Sequence, residues 1–309
     1  MRVAIVGAGI AGLSCALRLQ GGDHHVTLVD KGRGAGGRMS TRRVETSAGN
    51  AAFDHGAQYL TARDPGFVAA IGAWEAAGVV ARWPAAGDDA WVGTPGMNAI
   101  VKHLADQTDV HWHHQVTAIR HDAAGWLIEP FATDPFDAVV VAVPAEQTAV
   151  LLADSDPATA AAARACHSAP CWTVMLAFAE PLAIADDIVK QTGIIGWAAR
   201  NSAKPGRSGP EAWVVQATPE WSTTHLEESV DSVVDRLLAA LGEQISGMLP
   251  TPIARTGHRW RYARATGTGI GCIWNRDARL GAAGDWLLAP RIESAWLSGR
   301  MLGDAILRG

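Results

Sequence analysis

The feature of this sequence that most constrains its fold is a set of three glycines near the amino terminus, Gly7, Gly9 and Gly12. They form the pattern Gly-x-Gly-x-x-Gly directly after residues 2–6, an apolar run rich in branched side chains that predicts a buried parallel strand. Residues 13–19 have helical spacing and end at a glycine pair, and residues 25–29 predict a second strand. The pattern therefore predicts a strand–helix–strand unit that opens an α/β fold.

A glycine pattern in this setting is typical of a site for the diphosphate of a dinucleotide. The first glycine permits a tight turn, the second lets the backbone approach the diphosphate, and the third lets the helix pack closely on the strand. The helix N-terminus adds free N–H groups and the positive end of the helix dipole. Asp30, eighteen residues after Gly12, can accept hydrogen bonds from both ribose hydroxyls. Because its carboxylate would repel a 2′-phosphate, the tightly held dinucleotide is predicted to be FAD or NAD.

A second glycine cluster distinguishes these two cofactors. Residues 30–43 read DKGRGAGGRMSTRR and hold four glycines and five cations behind one carboxylate. An NAD domain needs no second cluster, whereas extended FAD holds its diphosphate between two loops. Gly36, Gly37 and Arg38 would supply close backbone and a cation, with Lys31 near the adenosine ribose, so the sequence predicts FAD. No role is assigned to the other cations of this stretch, Arg33, Arg42 and Arg43.

Composition argues against several classes of protein. The chain has 309 residues and is 48% hydrophobic, enough for a large core, and its formal net charge of −5 gives no overall attraction to nucleic acid or anionic lipid. The four cysteines form no Cys-x-x-Cys, and no uncharged apolar run is long enough to cross a bilayer. We therefore expect reduced thiols, no membrane partner, and a cytoplasmic protein that begins at or near Met1; the oligomeric state is left open.

No metal site is predicted. Cys166, His167 and Cys171 match no common zinc spacing and are better explained as buried or incidental thiols beside a histidine. Three histidines crowd residues 111–114, where a solvated strand face explains them better than metal ligands.

The remaining elements predict a nucleotide-binding unit interrupted by a second unit. Helices are expected at residues 67–77, 97–105, 227–241 and 292–306. Strands are expected at residues 110–120, 126–129, 136–144, 171–178, 193–199, 213–218, 253–261 and 280–284, with a short strand or turn at 53–60 and a polar loop at 198–210.

These elements predict an α/β fold, α+β overall: a Rossmann-like FAD-binding domain with an inserted antiparallel-sheet substrate domain. The FAD-binding domain is predicted to comprise residues 1–75, 96–152 and 265–309, and the substrate domain residues 76–95 and 153–264. We expect the substrate pocket between them.

Several segments resemble one protein family. GGRMSTR (36–42) resembles the flavin-dependent amine oxidase superfamily, and GDWLLAPRIESAWLSG (284–299) resembles its terminal segment. Within that superfamily, FDHGAQYLTARD (53–64), WVGTPGMNAIVKHL (91–104) and HRWRYA (258–263) resemble renalase-like proteins of bacterial type. The resemblance covers essentially the whole chain and implies a para-hydroxybenzoate-hydroxylase-like fold with noncovalent FAD. Cys272 lies closer to Gly284 than covalent flavin attachment would lead us to expect.

The resemblance also implies which residues meet the cofactor. Val116 would meet the adenine through its backbone, Gly284 and Asp285 the ribityl and phosphate region, and Ile292 the flavin pyrimidine through helix N–H groups. The full implied set is Gly7, Gly9, Ile10, Ala11, Gly12, Asp30, Lys31, Gly36, Gly37, Arg38, Met39, His55, Gly56, Ala57, Val116, Gly284, Asp285 and Ile292.

The implied activity is oxidation of the 2- and 6-dihydro isomers of NAD(P)H to NAD(P)+, with hydride transfer to flavin N5 and reduction of O2 to hydrogen peroxide. A dihydropyridine donates a hydride and loses no proton, so positioning is the main task and no acid–base pair is expected. The residues predicted to position the substrate are Gln58, Tyr59, Met97, Asn98, Trp260, Arg261, Trp286 and Arg291.

Two other functions stay open. A general amine oxidase or a desaturase-like dehydrogenase often has an aromatic pair and a lysine–water relay at the flavin, and none of Lys102, Lys190 and Lys204 lies in a recognisable relay motif. The other is a flavoprotein that binds nucleic acid through its basic run, against which the acidic total charge and the need for Arg38 at FAD both count.

Overall fold

The computed structural model describes residues 1–132 and 134–309. The strands are β1 (Arg2–Val6), β2 (His25–Val29), β3 (Thr41–Thr46), β4 (Gly49–Asp54), β5 (Leu60–Thr61), β6 (Val80–Arg82), β7 (Ala90–Gly93), β8 (Asp109–His111), β9 (Ala118–Asp122), β10 (Gly125–Glu129), β11 (Ala138–Val141), β12 (Ser168–Phe178), β13 (Ile188–Thr192), β14 (Ile195–Arg200), β15 (Glu211–Ala217), β16 (Ala254–Ala265), β17 (Ile273–Asn275) and β18 (Leu280–Ala282). The helices are α1 (Ile10–Leu19), α2 (Pro65–Ala76), α3 (Asn98–Ala105), α4 (Ala145–Leu151), α5 (Pro157–Ala165), α6 (Pro219–Thr224), α7 (Val230–Gly242) and α8 (Ile292–Arg308).

The first sheet follows the amino-terminal pattern. Its strand order is β17-β18-β11-β1-β2-β8, parallel except that β17 is antiparallel to β18. β1 and β2 have the predicted bounds, while α1 begins at Ile10, three residues earlier than predicted, because Gly9 is extended and serves as its N-cap. The predicted α/β fold with a Rossmann-like first unit is confirmed.

Helices α1 and α8 run parallel in close contact beside this sheet. An added Cβ on Gly299 would lie 2.0 Å from the Ala11 carbonyl oxygen, so the contact requires glycine. Further along both helices, the Arg18 Nε and Asp304 Oδ1 atoms are 2.5 Å apart. Both helices therefore begin at the same end of the fold, which matters for the site described below.

The middle of the chain forms the predicted antiparallel sheet. Its order is β13-β14-β15-β12-β16. One face of α7 buries Val233, Leu237 and Leu241 against Trp172 and Trp213 of this sheet. Each such fully buried aliphatic side chain contributes about 2 kcal/mol, so this packing gives the middle unit its own core.

One predicted strand, residues 110–120, is wrong. The chain leaves the first sheet after β8, and β9 pairs instead with β10 in a separate hairpin. Between them His113 has a φ of 66°, and its N–H donates to the Gly32 carbonyl, while the His114 N–H donates to the Asp30 carbonyl. These bonds to the turn after β2 replace the strand pairing that the sequence pattern indicated.

The segment 41–93 forms two small sheets: the hairpin β3–β4 and the order β5-β7-β6. Residues 55–59 between β4 and β5 are a turn, within the range predicted as a short strand or turn. The domain limits stay a prediction, and residue 133, inside the predicted 96–152 segment, lies outside the described residues. No helix in the described parts of the chain is long and apolar enough to cross a membrane.

Candidate active site

A cavity of about 700 Å³ lies where the glycine loop and the start of α8 face the five-stranded sheet. Its walls come from the 9–11, 36–39, 56–63 and 284–295 segments on one side and from strands β12, β14, β15 and β16 on the other. This volume is in the range of sites for cofactors and small molecules. The predicted position of the pocket, between a nucleotide-binding unit and an antiparallel sheet, agrees with this arrangement.

The glycine loop has the backbone geometry that the motif predicts. Gly7 has a φ of +104°, and an added Cβ there would lie 2.5 Å from the Ala142 carbonyl oxygen. An added Cβ on Gly12 would lie 2.0 Å from the Gly7 carbonyl oxygen. At Gly9, by contrast, an added Cβ would meet no described atom within 4 Å, so this backbone borders open space in the cavity.

Two helix N-termini border the same cavity. Ile10 and Ala11 of α1 and Ile292 of α8 line it, and neither helix has a side-chain cap on its first turn. Uncapped N-termini leave backbone N–H donors free and add the positive ends of two helix dipoles. The cavity is therefore built to receive a group with two separated anionic or hydrogen-bond-accepting regions.

The second glycine cluster forms the neighbouring wall. Gly36, Arg38 and Met39 line the cavity, and Gly37 has a φ of +53°, which favours glycine. The Arg38 guanidinium donates two hydrogen bonds to the Asp285 carboxylate, at 2.8 and 2.6 Å. This pair ties the second glycine cluster to the Gly-Asp segment that precedes α8.

Asp30 lies at the end of β2, beside the glycine loop. Its carboxylate oxygens accept hydrogen bonds from the Ala8 N–H (2.8 Å) and the Gly32 N–H (2.6 Å). Asp30 thus fixes both turns that flank it. Asp30, Lys31 and Val116 do not line the cavity, so the predicted ribose and adenine contacts stay predictions.

Residues 56–61, which include the turn after β4 and the strand β5, line the cavity beside the second glycine cluster. The Gly56 carbonyl accepts hydrogen bonds from the side chains of Gln58 (3.1 Å) and Gln216 (2.8 Å), and the Ala57 N–H donates to the Arg38 carbonyl (2.9 Å). An added Cβ on Gly56 would lie 2.1 Å from the same Arg38 oxygen. The turn is therefore fixed against the second glycine cluster with no room for a side chain.

Aromatic side chains line the cavity from both sides. Tyr59 stacks on Trp197 with ring centroids 5.4 Å apart, and Trp260 stacks on His55 at 5.3 Å. Tyr59, Trp197 and Trp260 line the cavity. Burial, together with the neighbouring His258 and Arg42, lowers the pKa of His55 to about 4, so this histidine is neutral at physiological pH.

The charged groups of the cavity wall are mostly cationic. The wall contains four arginines, Arg38, Arg63, Arg264 and Arg291, and one carboxylate, Asp285. Asp285 is engaged by Arg38, and Arg291 pairs at 3.0 Å with the buried Glu293 outside the wall. Within residues 1–132 and 134–309, Arg63 and Arg264 form no salt bridge, so they leave positive charge at the cavity.

The structure brings together many, but not all, of the predicted cofactor residues. Those that line the cavity are Gly9, Ile10, Ala11, Gly36, Arg38, Met39, Gly56, Ala57, Gly284, Asp285 and Ile292. Those that do not line it are Gly7, Gly12, Asp30, Lys31, Gly37, His55 and Val116. Gly7 and Gly12 act through backbone packing, as their position in the motif requires.

Four residues predicted to position the substrate, Gln58, Tyr59, Trp260 and Arg291, line the cavity, and the other four do not. Met97 and Trp286 are fully buried in the core. Met97 donates its N–H to the Asp54 carboxylate and Asn98 donates its N–H to the Thr41 hydroxyl, so the start of α3 supports the wall from behind. The expectation that these residues meet the substrate directly is corrected accordingly.

Arg261 corrects another expectation. It is exposed and pairs with Glu227 at 2.6 and 2.9 Å on the outer face of β16. Trp260 and Arg264 both line the cavity, and the register of β16 against β12 shifts between them. Because of this irregularity, the alternation of side chains in the sequence does not identify Arg264.

A buried ionic cluster, which no feature of the sequence indicated, lies behind residues 56–61. Asp54 lies 3.2 Å from Lys204 Nζ and 2.5 Å from Arg207 Nη2, and these side chains are at most 1% exposed. Burial alone would raise the pKa of Asp54, but the two cations outweigh it and lower that pKa to about 2. Residues 198–210 were predicted to be a polar loop, yet they place Lys204 and Arg207 in the interior.

Asn201 completes the docking of this loop. Its side-chain amide donates to the Ala52 carbonyl at 2.8 Å and accepts from the Asp54 N–H at 3.3 Å. Loop composition alone does not distinguish such a docked segment from a solvated one. No three His, Cys, Asp or Glu side chains in the described parts of the chain are grouped to hold a metal ion.

The two uncapped helix N-termini, the open space at Gly9 and the Arg38 side chain fit the diphosphate and flavin ends of a bound FAD. Together with the parallel first sheet they define the class of a two-lobed flavoprotein. Comparison with known proteins gives the family: the profile described as flavin containing amine oxidoreductase matches residues 84–301, and that of an NAD(P)-binding Rossmann-like domain matches residues 5–69. The chain therefore belongs to the flavin containing amine oxidoreductase family, an FAD-dependent class of oxidoreductases.

Known structures share the fold of the whole chain. A putrescine oxidase bound to putrescine superimposes with a TM-score of 0.76 at 13% identity, over 100% of both chains. Cyclohexylamine oxidase from Brevibacterium oxydans gives 0.74 at 12% identity, over 99% of this chain and 98% of that one. At such identities the likeness establishes the fold alone.

A curated relative matches only locally. L-amino-acid oxidase of Notechis scutatus scutatus is 52% identical over 44 residues, which are 14% of this chain and 8% of that protein. The chain thus aligns with under a tenth of that relative's length, so the relative's activity is not transferred.

Proposed function

We propose that this protein is an FAD-dependent oxidase of renalase type. It oxidises the 2- and 6-dihydro isomers of NAD(P)H to NAD(P)+ and reduces O2 to hydrogen peroxide. Bound FAD supplies the hydride acceptor, flavin N5, and passes the electrons to O2. The sequence resemblance suggested this activity, and the charge and titration properties of the cavity wall support it over oxidation of an amine.

The charge of the wall is the observation that carries the proposal. An amine substrate arrives as an ammonium ion, whose charge a free carboxylate would compensate, whereas a dinucleotide carries a diphosphate. The wall's one carboxylate, Asp285, is held by Arg38, while Arg63 and Arg264 leave uncompensated positive charge. This arrangement attracts a phosphorylated substrate and repels an ammonium ion.

The titratable groups of the wall support the same choice. Oxidation of an amine requires loss of the ammonium proton, whereas hydride transfer from a dihydropyridine releases none. No histidine, lysine or glutamate is among the described residues that line the cavity, and burial raises the pKa of the lining Cys171 thiol to about 11. The wall therefore contributes positioning rather than proton transfer.

The residues divide this task by position. Tyr59, Trp197 and Trp260 offer flat apolar surfaces on which a nicotinamide or adenine ring can stack. Arg63 and Arg264 bind the phosphates of the substrate. The uncapped N-terminus of α8 at Ile292 would hold the pyrimidine end of the flavin, where its free N–H groups and helix dipole would stabilise negative charge.

We also propose that FAD is bound noncovalently. The discontinuous domain limits given above remain part of the proposal, and the protein is proposed to act in the cytoplasm. Cys171, the cysteine that lines the cavity, belongs to β12 in the antiparallel sheet, and Cys272 packs against the core outside the wall. Acid precipitation should release all flavin into the supernatant, and flavin that stays with the protein would contradict noncovalent attachment.

The proposal is tested by measuring hydrogen peroxide formation with a panel of substrates. The 2- and 6-dihydro isomers of NAD and NADP should support turnover, and ordinary 4-dihydro NADH, putrescine and cyclohexylamine should support little. Rapid peroxide formation with an amine and none with the isomers would instead establish the amine oxidase alternative.

A further inference from the structure

The amide of Gln58 can have only one orientation in this structure. One side of the amide faces the backbone carbonyls of Asp54 and Gly56, which can only accept hydrogen bonds, so the Nε2 group must lie there. The amide oxygen then faces Lys204 Nζ at 3.2 Å, and an amine can donate to it. All three polar contacts of this side chain are thus made to the protein rather than into the cavity.

Lys204 has no access to solvent. Its side chain is 0% exposed, and Nζ contacts Asp54 Oδ2 (3.2 Å), Gln58 Oε1 (3.2 Å) and, at 5.0 Å from the centroid, the ring of Trp83. A solvated loop would not bury a lysine, because desolvating an ammonium is costly unless polar partners compensate. Lys204 is therefore a buried amine with a large desolvation cost, and its partner in the cavity wall is Gln58.

A continuous set of contacts leads from Lys204 to the cofactor cradle. Gln58 donates to the Gly56 carbonyl, the neighbouring Ala57 N–H donates to the Arg38 carbonyl, and Arg38 pairs with Asp285. Apart from Lys204, all the residues of this set line the cavity. A change in the position of the Gln58 amide should therefore shift the backbone of Gly56 and Ala57, which lines the cavity expected to hold FAD.

We propose that Lys204 is a positioning residue that fixes the Gln58 amide and, through it, the Gly56–Ala57 backbone against the bound flavin. Lys204 itself does not touch the cavity and takes no part in the chemistry. The inference needs only that the cavity holds FAD, and none of its tests uses a substrate. It can therefore fail or succeed independently of the proposed dinucleotide activity.

The charged groups that face Lys204 are Asp54, from β4, and Arg207, from its own loop. One carboxylate and two cations leave the cluster with one excess positive charge. Burial lowers the pKa of Lys204, Asp54 partly restores it and Arg207 lowers it further, to about 8. A neutral amine still donates hydrogen bonds, so the contact with Gln58 persists on both sides of this pKa.

The first experiment is a double-mutant cycle on FAD binding. Lys204→Met, Gln58→Met and the double variant are compared with Lys102→Met, a lysine exposed on α3. Each single change should weaken FAD binding about tenfold, because a buried polar group loses its partner, and should shift the flavin absorption spectrum in the same direction. The double variant should be no weaker than either single variant, and Lys102→Met should match the wild type.

Two outcomes of this cycle would overturn the proposal. One is a folded Lys204→Met protein with wild-type FAD affinity and flavin spectrum but lower thermal stability, which would show a role in folding alone. The other is full additivity of the two changes, which would show that Lys204 and Gln58 act independently.

The second experiment needs no change at residue 204. The chain has four lysines, Lys31, Lys102, Lys190 and Lys204, so carbon-13 NMR of ε-labelled lysine gives few signals. In the FAD-bound protein one signal should titrate near pH 8, and Gln58→Met should lower that midpoint, because the amide oxygen favours the charged amine. Four lysines titrating together at the ordinary value would contradict the burial of Lys204 on which the proposal rests, and a midpoint unchanged by Gln58→Met would contradict the Lys204–Gln58 contact.

Discussion

The glycine loop of residues 7–12 and the ionic cluster around Asp54 support the same cavity in different ways. The loop works through backbone: an added Cβ on Gly12 would strike the Gly7 carbonyl, and no side chain of the loop carries charge. The cluster works through side chains that come from β4 and from a loop about 150 residues further along the chain, Asp54 with Lys204 and Arg207. One is a local arrangement and the other depends on the tertiary fold.

This difference explains what each region tolerates. A backbone cradle fails when volume is added, because the main chain cannot move aside, whereas a buried ionic cluster fails when charge is removed, because its partners stay buried and unpaired. Substitutions that add volume to the glycine loop and substitutions that remove charge from the ionic cluster therefore test the two regions separately.

The largest effect is expected at Gly12. Gly12→Ala places Cβ 2.0 Å from the Gly7 carbonyl oxygen, so we expect loss of bound flavin and destabilisation by about 3 kcal/mol. Gly9→Ala meets open space and should keep the fold but bind FAD more weakly. Flavin content and urea denaturation measure both, with the exposed Gly34→Ala as the unaffected control. A Gly12→Ala protein with wild-type flavin content would show that the cradle is not close-packed.

The ionic cluster should respond to loss of charge almost as strongly. Asp54→Asn leaves Lys204 and Arg207 buried without their carboxylate and should cost about 3 kcal/mol by urea denaturation at pH 7, without the direct loss of flavin expected at Gly12. Asp304→Asn, which breaks the half-exposed pair with Arg18, should cost less than about 1 kcal/mol. Equal costs for the two variants would mean that burial of the cluster is unimportant.

The ionic cluster should also make the stability of the protein depend on pH in acid. The folded pKa of Asp54, about 2, lies below its ordinary value of 3.8. Its contribution to stability is therefore present above pH 4 and lost as the pH falls toward 2. Asp54→Asn should flatten that part of the stability curve, and an identical acid limb in both proteins would argue against the ion pairs.

The sequence predicted the backbone part of the site much better than the side-chain part. Gly7, Gly9 and Gly12 act over six residues, so their spacing alone defines the turn and the helix start. The burial of Lys204 could not be predicted from the sequence. Nothing within the polar loop indicates that Lys204 will pair with Asp54, which comes from a distant strand. Along β16 a regular alternation of side chains could not have selected Arg264, because the register of the strand shifts between Trp260 and Arg264.

A smaller effect is expected at His55, which stacks on Trp260 beside the cavity. Burial, with His258 and Arg42, lowers the folded pKa of His55 to about 4, below its ordinary 6.5, so the unfolded chain takes up the proton first. The stability of the wild type should fall by about 2 kcal/mol between pH 7 and 4.5 from this group. His55→Gln should remove that part of the loss, and an unchanged pH dependence would show that His55 is not held neutral.

The smallest change tests the charge of the wall. Arg63→Gln and Arg264→Gln should each raise the KM for a dinucleotide substrate several-fold, and the double variant about tenfold, with little change in kcat, because each removes one phosphate contact. Arg236→Gln, an exposed arginine on α7, is the control. If the KM of the double variant equals that of the wild type, the wall does not select an anionic substrate.

The most direct measurement is anaerobic reduction of the bound flavin, followed by loss of its visible absorbance. The 2- and 6-dihydro isomers of NAD should bleach the flavin rapidly and stoichiometrically, and admission of O2 should restore the colour with release of hydrogen peroxide. Ordinary NADH and amines should reduce it slowly. Rapid bleaching by putrescine or another amine, with no reaction of the dihydro isomers, would contradict the proposed function.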